Sequence, residues 1–171
     1  MVNEIAWGYV KRETALEGKN PKKEILIATR QKRSDPTQYG KYVIPGGGRK
    51  DTDKSEYENA IREVKEETGI DSKPIYGYRF PDGSRNIEGE NFIATVNENE
   101  ASISYSDSGK SYHGYLVALE PVDPKQEPKE TVSDAANPRY VSIEDAFRDI
   151  EKFTPAAQVL LGIIKEAEKI N

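Results

Sequence analysis

Three carboxylates, Glu63, Glu66 and Glu67, carry the spacing that points most directly to chemistry. On a helix, residues three and four apart share a face. At about 100° per residue these three span roughly 100° of arc. Glu56 and Asn59 fall on the same face one to two turns earlier. Like charges this close destabilise a helix by a few tenths of a kcal/mol each, so something must offset the repulsion. A hard divalent cation does so, because Mg²⁺ takes oxygen ligands and binds through a few carboxylates plus substrate phosphates. The competing reading is a solvated acidic face balanced by Arg62, Lys65 and Lys73. Upstream stands Pro45-Gly46-Gly47-Gly48. Glycines let backbone approach a ligand closely, and a carbonyl from this segment could complete an oxygen-only site. An ordinary turn is the alternative.

The elements that must position these groups read as follows. Residues 55–69 form the clearest helix: Ser55 and Glu58 make a capping-box pattern and Gly69 sits where a C-cap belongs. Tyr57, Ala60, Ile61, Val64 and Thr68 recur at helical spacing as one buried stripe. Strands are expected at 5–10, 24–29, 41–44, 75–80, 91–96, 102–105, 112–119 and 139–141. Residues 13–23 and 121–138 read as loops, and Ser106 to Lys110 as a hairpin tip. Ser142 caps a short helix 143–151, and Thr154-Pro155 opens a last helix whose apolar face holds Val159, Leu160, Ile163, Ile164 and Ala167. Strands and helices alternate too irregularly for a doubly wound parallel sheet. The expected fold is α+β, an α-β-α sandwich with a mixed sheet flanked by helices, in one domain over residues 1–171.

Composition narrows the partners. The net charge is −5, against the basic footprint that duplex binding requires. An acidic chain still binds anions where a cation supplies the positive charge. There is no cysteine, which excludes disulfides and thiolate metal sites. No signal peptide is seen, and no apolar run approaches the ~20 residues of a membrane helix. A soluble cytoplasmic protein is the default expectation.

Together, Gly48 and Arg62-Glu63-Val64-Lys65-Glu66-Glu67-Thr68-Gly69-Ile70 resemble the Nudix box, G-x5-E-x7-R-E-U-x-E-E-x-G-U, where U is aliphatic. Lys54 stands where that pattern has its first Glu. Tyr42 to Gly47 resembles the family's strand into the box, and Arg139 to Ala146 its late strand and helix, so the likeness covers most of residues 5–150. The resemblance implies Mg²⁺-dependent hydrolysis, with Mn²⁺ as a substitute, of a diphosphate bond in a nucleoside diphosphate derivative such as ADP-ribose or another sugar nucleotide. It implies Glu63 and Glu67 as main ligands, Glu66 as a ligand or water-positioning acid, the Gly47 carbonyl as a further ligand, and Arg62 as the residue orienting Glu63.

The catalytic base varies in this family. Asp134, in a stretch resembling the ADP-ribose branch, is the first candidate, with a turn residue as the alternative; Glu98, Glu120 and Glu130 are rivals. Arg30, Lys32 and Arg33 are candidate phosphate contacts or else solvated strand-end charges. His113, the lone histidine, reads as structural. Trp7 and Tyr9 stack on a base or pack in the core. Two other functions compete: a nucleoside triphosphate pyrophosphohydrolase, and a nucleotide sensor without turnover, to which Lys54 lends weight. The partner is a nucleotide-type small molecule, and monomer and homodimer both stay open.

Overall fold

The computed structural model describes residues 1–15, 18, 20–32, 34–86, 92–96 and 100–171. Arg33 and Glu98 lie outside them. In chain order the elements are β1 (Val2–Thr14), β2 (Lys22–Arg30), β3 (Tyr42–Val43), β4 (Gly46–Gly48), α1 (Glu56–Thr68), β5 (Ser72–Pro74), β6 (Gly83–Asn86), β7 (Phe92–Val96), β8 (Ala101–Asp107), β9 (Lys110–Pro121), β10 (Ala135–Ser142), α2 (Ile143–Arg148), a 3-10 turn (Ile150–Lys152) and α3 (Pro155–Glu168). Among the described residues the strands join in one sheet, ordered β10-β2-β1-β9-β8-β7-β6, with β3 on β2, β4 on β1 and β5 on β9. β1 and β9 run parallel, from Val2↔Ser111 to Val10↔Leu119, while their other pairings are antiparallel. The sheet is therefore mixed, as expected.

Alternation along the central strands builds the two outer layers, since successive side chains point to opposite faces. Ala6 and Val10 of β1, Leu26 of β2, and Val117 and Leu119 of β9 pack with Ala60 and Val64 of α1. Their neighbours Trp7, Tyr9, Ile25, Ile27, Leu116 and Ala118 turn to the other face, where Leu160, Leu161 and Ile164 of α3 cover them. Gly8 falls under α1: a Cβ there would stand 2.6 Å from Val64 Cγ2 and 2.9 Å from Leu119 Cδ1. Only glycine lets the helix lie this close.

Several boundaries differ from expectation. No strand covers 75–80; β5 ends at Pro74 and a turn follows, with Gly77 at φ 74°. Tyr78 and Phe80 are buried all the same. From this stretch the Ile75 N–H donates to the sheet, to the Ala118 carbonyl of β9 at 3.1 Å, while the side chain of Asn171 serves the Arg79 backbone, accepting from its N–H at 2.9 Å and donating to its carbonyl at 2.7 Å. The glycine segment is not a plain turn: Gly46–Gly48 is a strand on Ile5–Trp7, and a Cβ on Gly46 would stand 2.5 Å from the Ala6 carbonyl. β10 begins at Ala135 rather than 139, with a bulge after Ala136. The helix expected to residue 151 stops at Arg148, and the tighter turn after it delivers Phe153 into the core against Tyr42.

Candidate active site

α1 is held by the caps its sequence predicts. Ser55 Oγ accepts from the Glu58 N–H, Glu58 accepts from the Lys54 N–H at 2.7 Å, and Gly69 closes the helix at φ 75°. With α1 seated on Gly8, Glu63 and Glu67 project into a cavity of about 600 Å³ beside β4. Gly46 to Gly48, Arg30, Lys32 and Asp134 also line it.

The glycine strand and the acids fit each other closely. The Gly46 N–H donates to Glu67 Oε2 at 3.2 Å, and Asn59 Nδ2 donates to the Gly47 carbonyl at 3.3 Å. A Cβ on Gly47 would stand 2.7 Å from Glu63 Cδ and Oε2. Burial, then the charge of Glu63, pushes the Glu67 carboxyl up to about 8, against the pull of the Gly46 N–H and Arg30; Asp134 adds to the rise. Burial likewise raises Glu63, although Arg62 opposes it. Two desolvated carboxylates that repel one another are the electrostatic signature of a place for positive charge. The donor set, Glu63, Glu67 and the Gly47 carbonyl, is oxygen-only and suits a hard cation. Among the described residues, no three acidic or histidine side chains already converge as a finished cage.

Arg62 organises the acids. Its guanidinium donates to Glu63 Oε1 at 2.7 Å, Glu66 Oε2 at 3.0 Å, Asp53 Oδ2 at 2.9 Å, Asn59 Oδ1 at 3.0 Å and the Gly48 carbonyl at 2.8 Å. Asp53 is buried and also accepts from the Lys50 N–H at 2.8 Å. Its hydrogen bond from Arg62 holds its carboxyl below the usual range. Asp53, one residue before Lys54, thus anchors the arginine that bonds Glu63. The Lys54 side chain is exposed.

The remaining candidates separate clearly. Glu66 is not on the main cavity; it pairs with Lys50 at 3.0 Å, which lowers its carboxyl, and borders a smaller cavity with Glu63, Glu67 and Asp134. Asp134 joins Glu63 and Glu67 in both cavities. Glu130 instead accepts from the Asn137 N–H, and Glu120 stands 3.7 Å from Lys73. Arg30 reaches the cavity with its Nε buried, 3.5 Å from Asp35 and without a hydrogen bond among the described residues. His113 bonds Ser104 Oγ at 2.8 Å and packs edge-on against Tyr115. Tyr9 is core, whereas buried Trp7 also lines the cavity.

The NUDIX domain family model matches residues 16–161. The chain belongs to the NUDIX family. With that family it is a pyrophosphohydrolase, a hydrolase of acid anhydrides. Solved NUDIX structures share its fold. A Caenorhabditis elegans Ap4A hydrolase in a binary complex is 18% identical, with 96% of each chain covered and a TM-score of 0.60. The NUDIX domain of Shewanella oneidensis NrtR, complexed with ADP ribose, is 13% identical over 100% of this chain and 90% of that one, with a TM-score of 0.60. A MutT NUDIX hydrolase from Burkholderia pseudomallei is 13% identical over 96% and 98%, with a TM-score of 0.56. Among the described residues, no helix is long and apolar enough to cross a membrane.

Proposed function

We propose that this NUDIX chain is a Mg²⁺-dependent hydrolase that cleaves the diphosphate bond of a nucleoside diphosphate derivative. One observation carries the reading: two half-buried carboxylates of like charge, Glu63 and Glu67, share a cavity with Arg30 and Lys32. That is a cation site beside an anion site. Glu63, Glu67 and the Gly47 carbonyl would hold the metal, with Mn²⁺ as a substitute. When bound there, the ion supplies charge neutralisation and a lowered water pKa. Arg62, fixed by Asp53, keeps Glu63 aimed at the site. Arg30 and Lys32 take the outer phosphate oxygens as charge-assisted donors. Glu66 positions water from the smaller cavity that it shares with Glu63, Glu67 and Asp134, and Asp134 receives the proton of the attacking water. Attack on phosphorus breaks the bridging P–O bond and leaves two phosphate monoesters.

The ADP-ribose complex and the Ap4A hydrolase among the solved relatives place sugar nucleotides and dinucleoside polyphosphates first in a substrate screen. Nucleoside triphosphates complete it. Glu67→Gln keeps the shape of the side chain while removing its charge. It is expected to fold normally and to lose several orders of magnitude in Mg²⁺-dependent rate. Near-wild-type turnover in that variant would sink the proposal.

A further inference from the structure

Cross-strand register places three rings in a row on one face of the sheet. Phe92 of β7 pairs with Tyr105 of β8, and Tyr105 pairs with Tyr112 of β9. The centroids are 5.0 Å apart at each step, and Tyr105 and Tyr112 lie within 15° of parallel. All three line the cavity that holds Glu63 and Glu67. Phe92 is buried in the apolar core, and Tyr105 packs against that core. Tyr112 belongs to neither apolar cluster and is half-buried. It also borders a neighbouring cavity lined by Met1 to Ile5, Arg49 and His113. One face of Tyr112 is therefore backed by Tyr105, and the ring stands where the two cavities meet. The cross-strand stack on Tyr105 steadies the sheet, but setting that ring where two cavities meet adds nothing to either apolar cluster.

We infer that Tyr112, stiffened by Tyr105, is the stacking platform for the flat heteroaromatic group of the substrate, a nucleobase. The inference rests on the proposed reading of the cavity and names the class of ligand it selects: a nucleoside phosphate over a sugar phosphate or inorganic polyphosphate. A stacked ring serves this role because every base has a π-face, and because a tyrosine already immobilised by its neighbour gives up little rotamer entropy on binding. The cavity, at about 600 Å³, is of a size to enclose a nucleotide. Arg30 and Lys32 remain for the phosphates.

Trp7 is the only tryptophan; it lines this cavity 6.4 Å from Tyr105, so its fluorescence reports occupancy. The test titrates the whole protein, in chelator so that nothing is hydrolysed, with adenosine monophosphate and with ribose 5-phosphate. Adenosine monophosphate is expected to bind at least tenfold more tightly. Tyr112→Ala is expected to weaken it about 5- to 150-fold, the usual worth of one base stack, and to leave ribose 5-phosphate unchanged. Tyr112→Phe, which keeps the π-face, is expected to bind as wild type does. Equal affinities for the two ligands overturn the inference, as does equal weakening of both in Tyr112→Ala. The two readings fail separately: a chain that stacks adenosine monophosphate but hydrolyses no nucleotide refutes only the hydrolase, and one that hydrolyses nucleotides without this discrimination refutes only the platform.

Discussion

Gly47→Ala tests the geometry of the acids without removing any of them. The new methyl carbon would stand 2.7 Å from Glu63 Cδ and Oε2 and 2.8 Å from Oε1. Ordinary carbon contacts begin at ~3.5 Å, so the carboxylate must retreat by about 0.8 Å. It cannot do so freely, because Oε1 is held by Arg62 at 2.7 Å, and Arg62 is itself held by Asp53. A displacement of that size in a catalytic group costs on the order of 100-fold in rate. The fold should bear it, since Gly47 is not in the left-handed region and Ala requires no backbone change. Steady-state rates with Mg²⁺ and a thermal melt together make the assay: about a 100-fold loss of kcat, with a melting temperature within ~4 °C of wild type, about 1 kcal/mol for a chain of this length. Gly48→Ala is the comparison, because its Cβ would meet nothing within 4 Å; it should cost at least tenfold less. Equal losses in the two variants, or a Gly47→Ala enzyme above half the wild-type rate, would refute the assigned geometry.

Two further outcomes follow from packing and charge. Gly8→Ala drives a methyl to within 2.6 Å of Val64 Cγ2, an overpacking expected to cost about 1–3 kcal/mol by denaturant unfolding, and Val64→Ala in the same chain should recover part of it. Glu168 accepts from Tyr9 and Tyr78, each at 2.9 Å, and from Lys11 and Lys23, each at 3.1 Å. Burial alone would raise its carboxyl, but the two hydroxyls and Lys11 outweigh it and hold the group below its ordinary value. A depressed carboxyl stabilises above the unfolded value of ~4.3 and loses that contribution as pH falls through the folded one. Melts of wild type and Glu168→Gln should therefore differ fully at pH 7, by about 1.5–3 kcal/mol, and converge below pH ~4; a gap that widens in acid would contradict this.

How much was legible from the residues depended on how local the cause was. The caps of α1 and the i, i+3, i+4 acids are written within one helix, so they read directly. Which of those acids faces the cavity is not: the roll of α1 is set by its seat on Gly8, more than fifty residues upstream in the chain, and that roll leaves Glu66 with Lys50. Asp53 was missed as the anchor of Arg62 because the turn that brings them together, through the Lys50 N–H, has no strong sequence signal. Tyr105 and Tyr112 become neighbours only through the register fixed at the Asp107–Lys110 hairpin. The hairpin tip itself was visible as Ser108-Gly109, both at positive φ. The expected strand at 75–80 failed because its buried aromatics pack in an irregular segment, turned at Gly77, in which the Asn171 side chain serves the Arg79 backbone.

The parallel pairing of β1 with β9 bears on how the enzyme comes into being. Val2 meets Ser111 and Val10 meets Leu119, so the central strand waits for a partner more than a hundred residues away. Contacts of such sequence separation form late and slowly, because chain closure must be achieved before they reward it. During synthesis the Gly48–Ile70 segment emerges early, yet Val117 and Leu119, which complete the bed under α1, emerge far behind it. A nascent chain thus carries every acid of the site in sequence well before it holds them in place, and competence for catalysis should appear only near the end of folding.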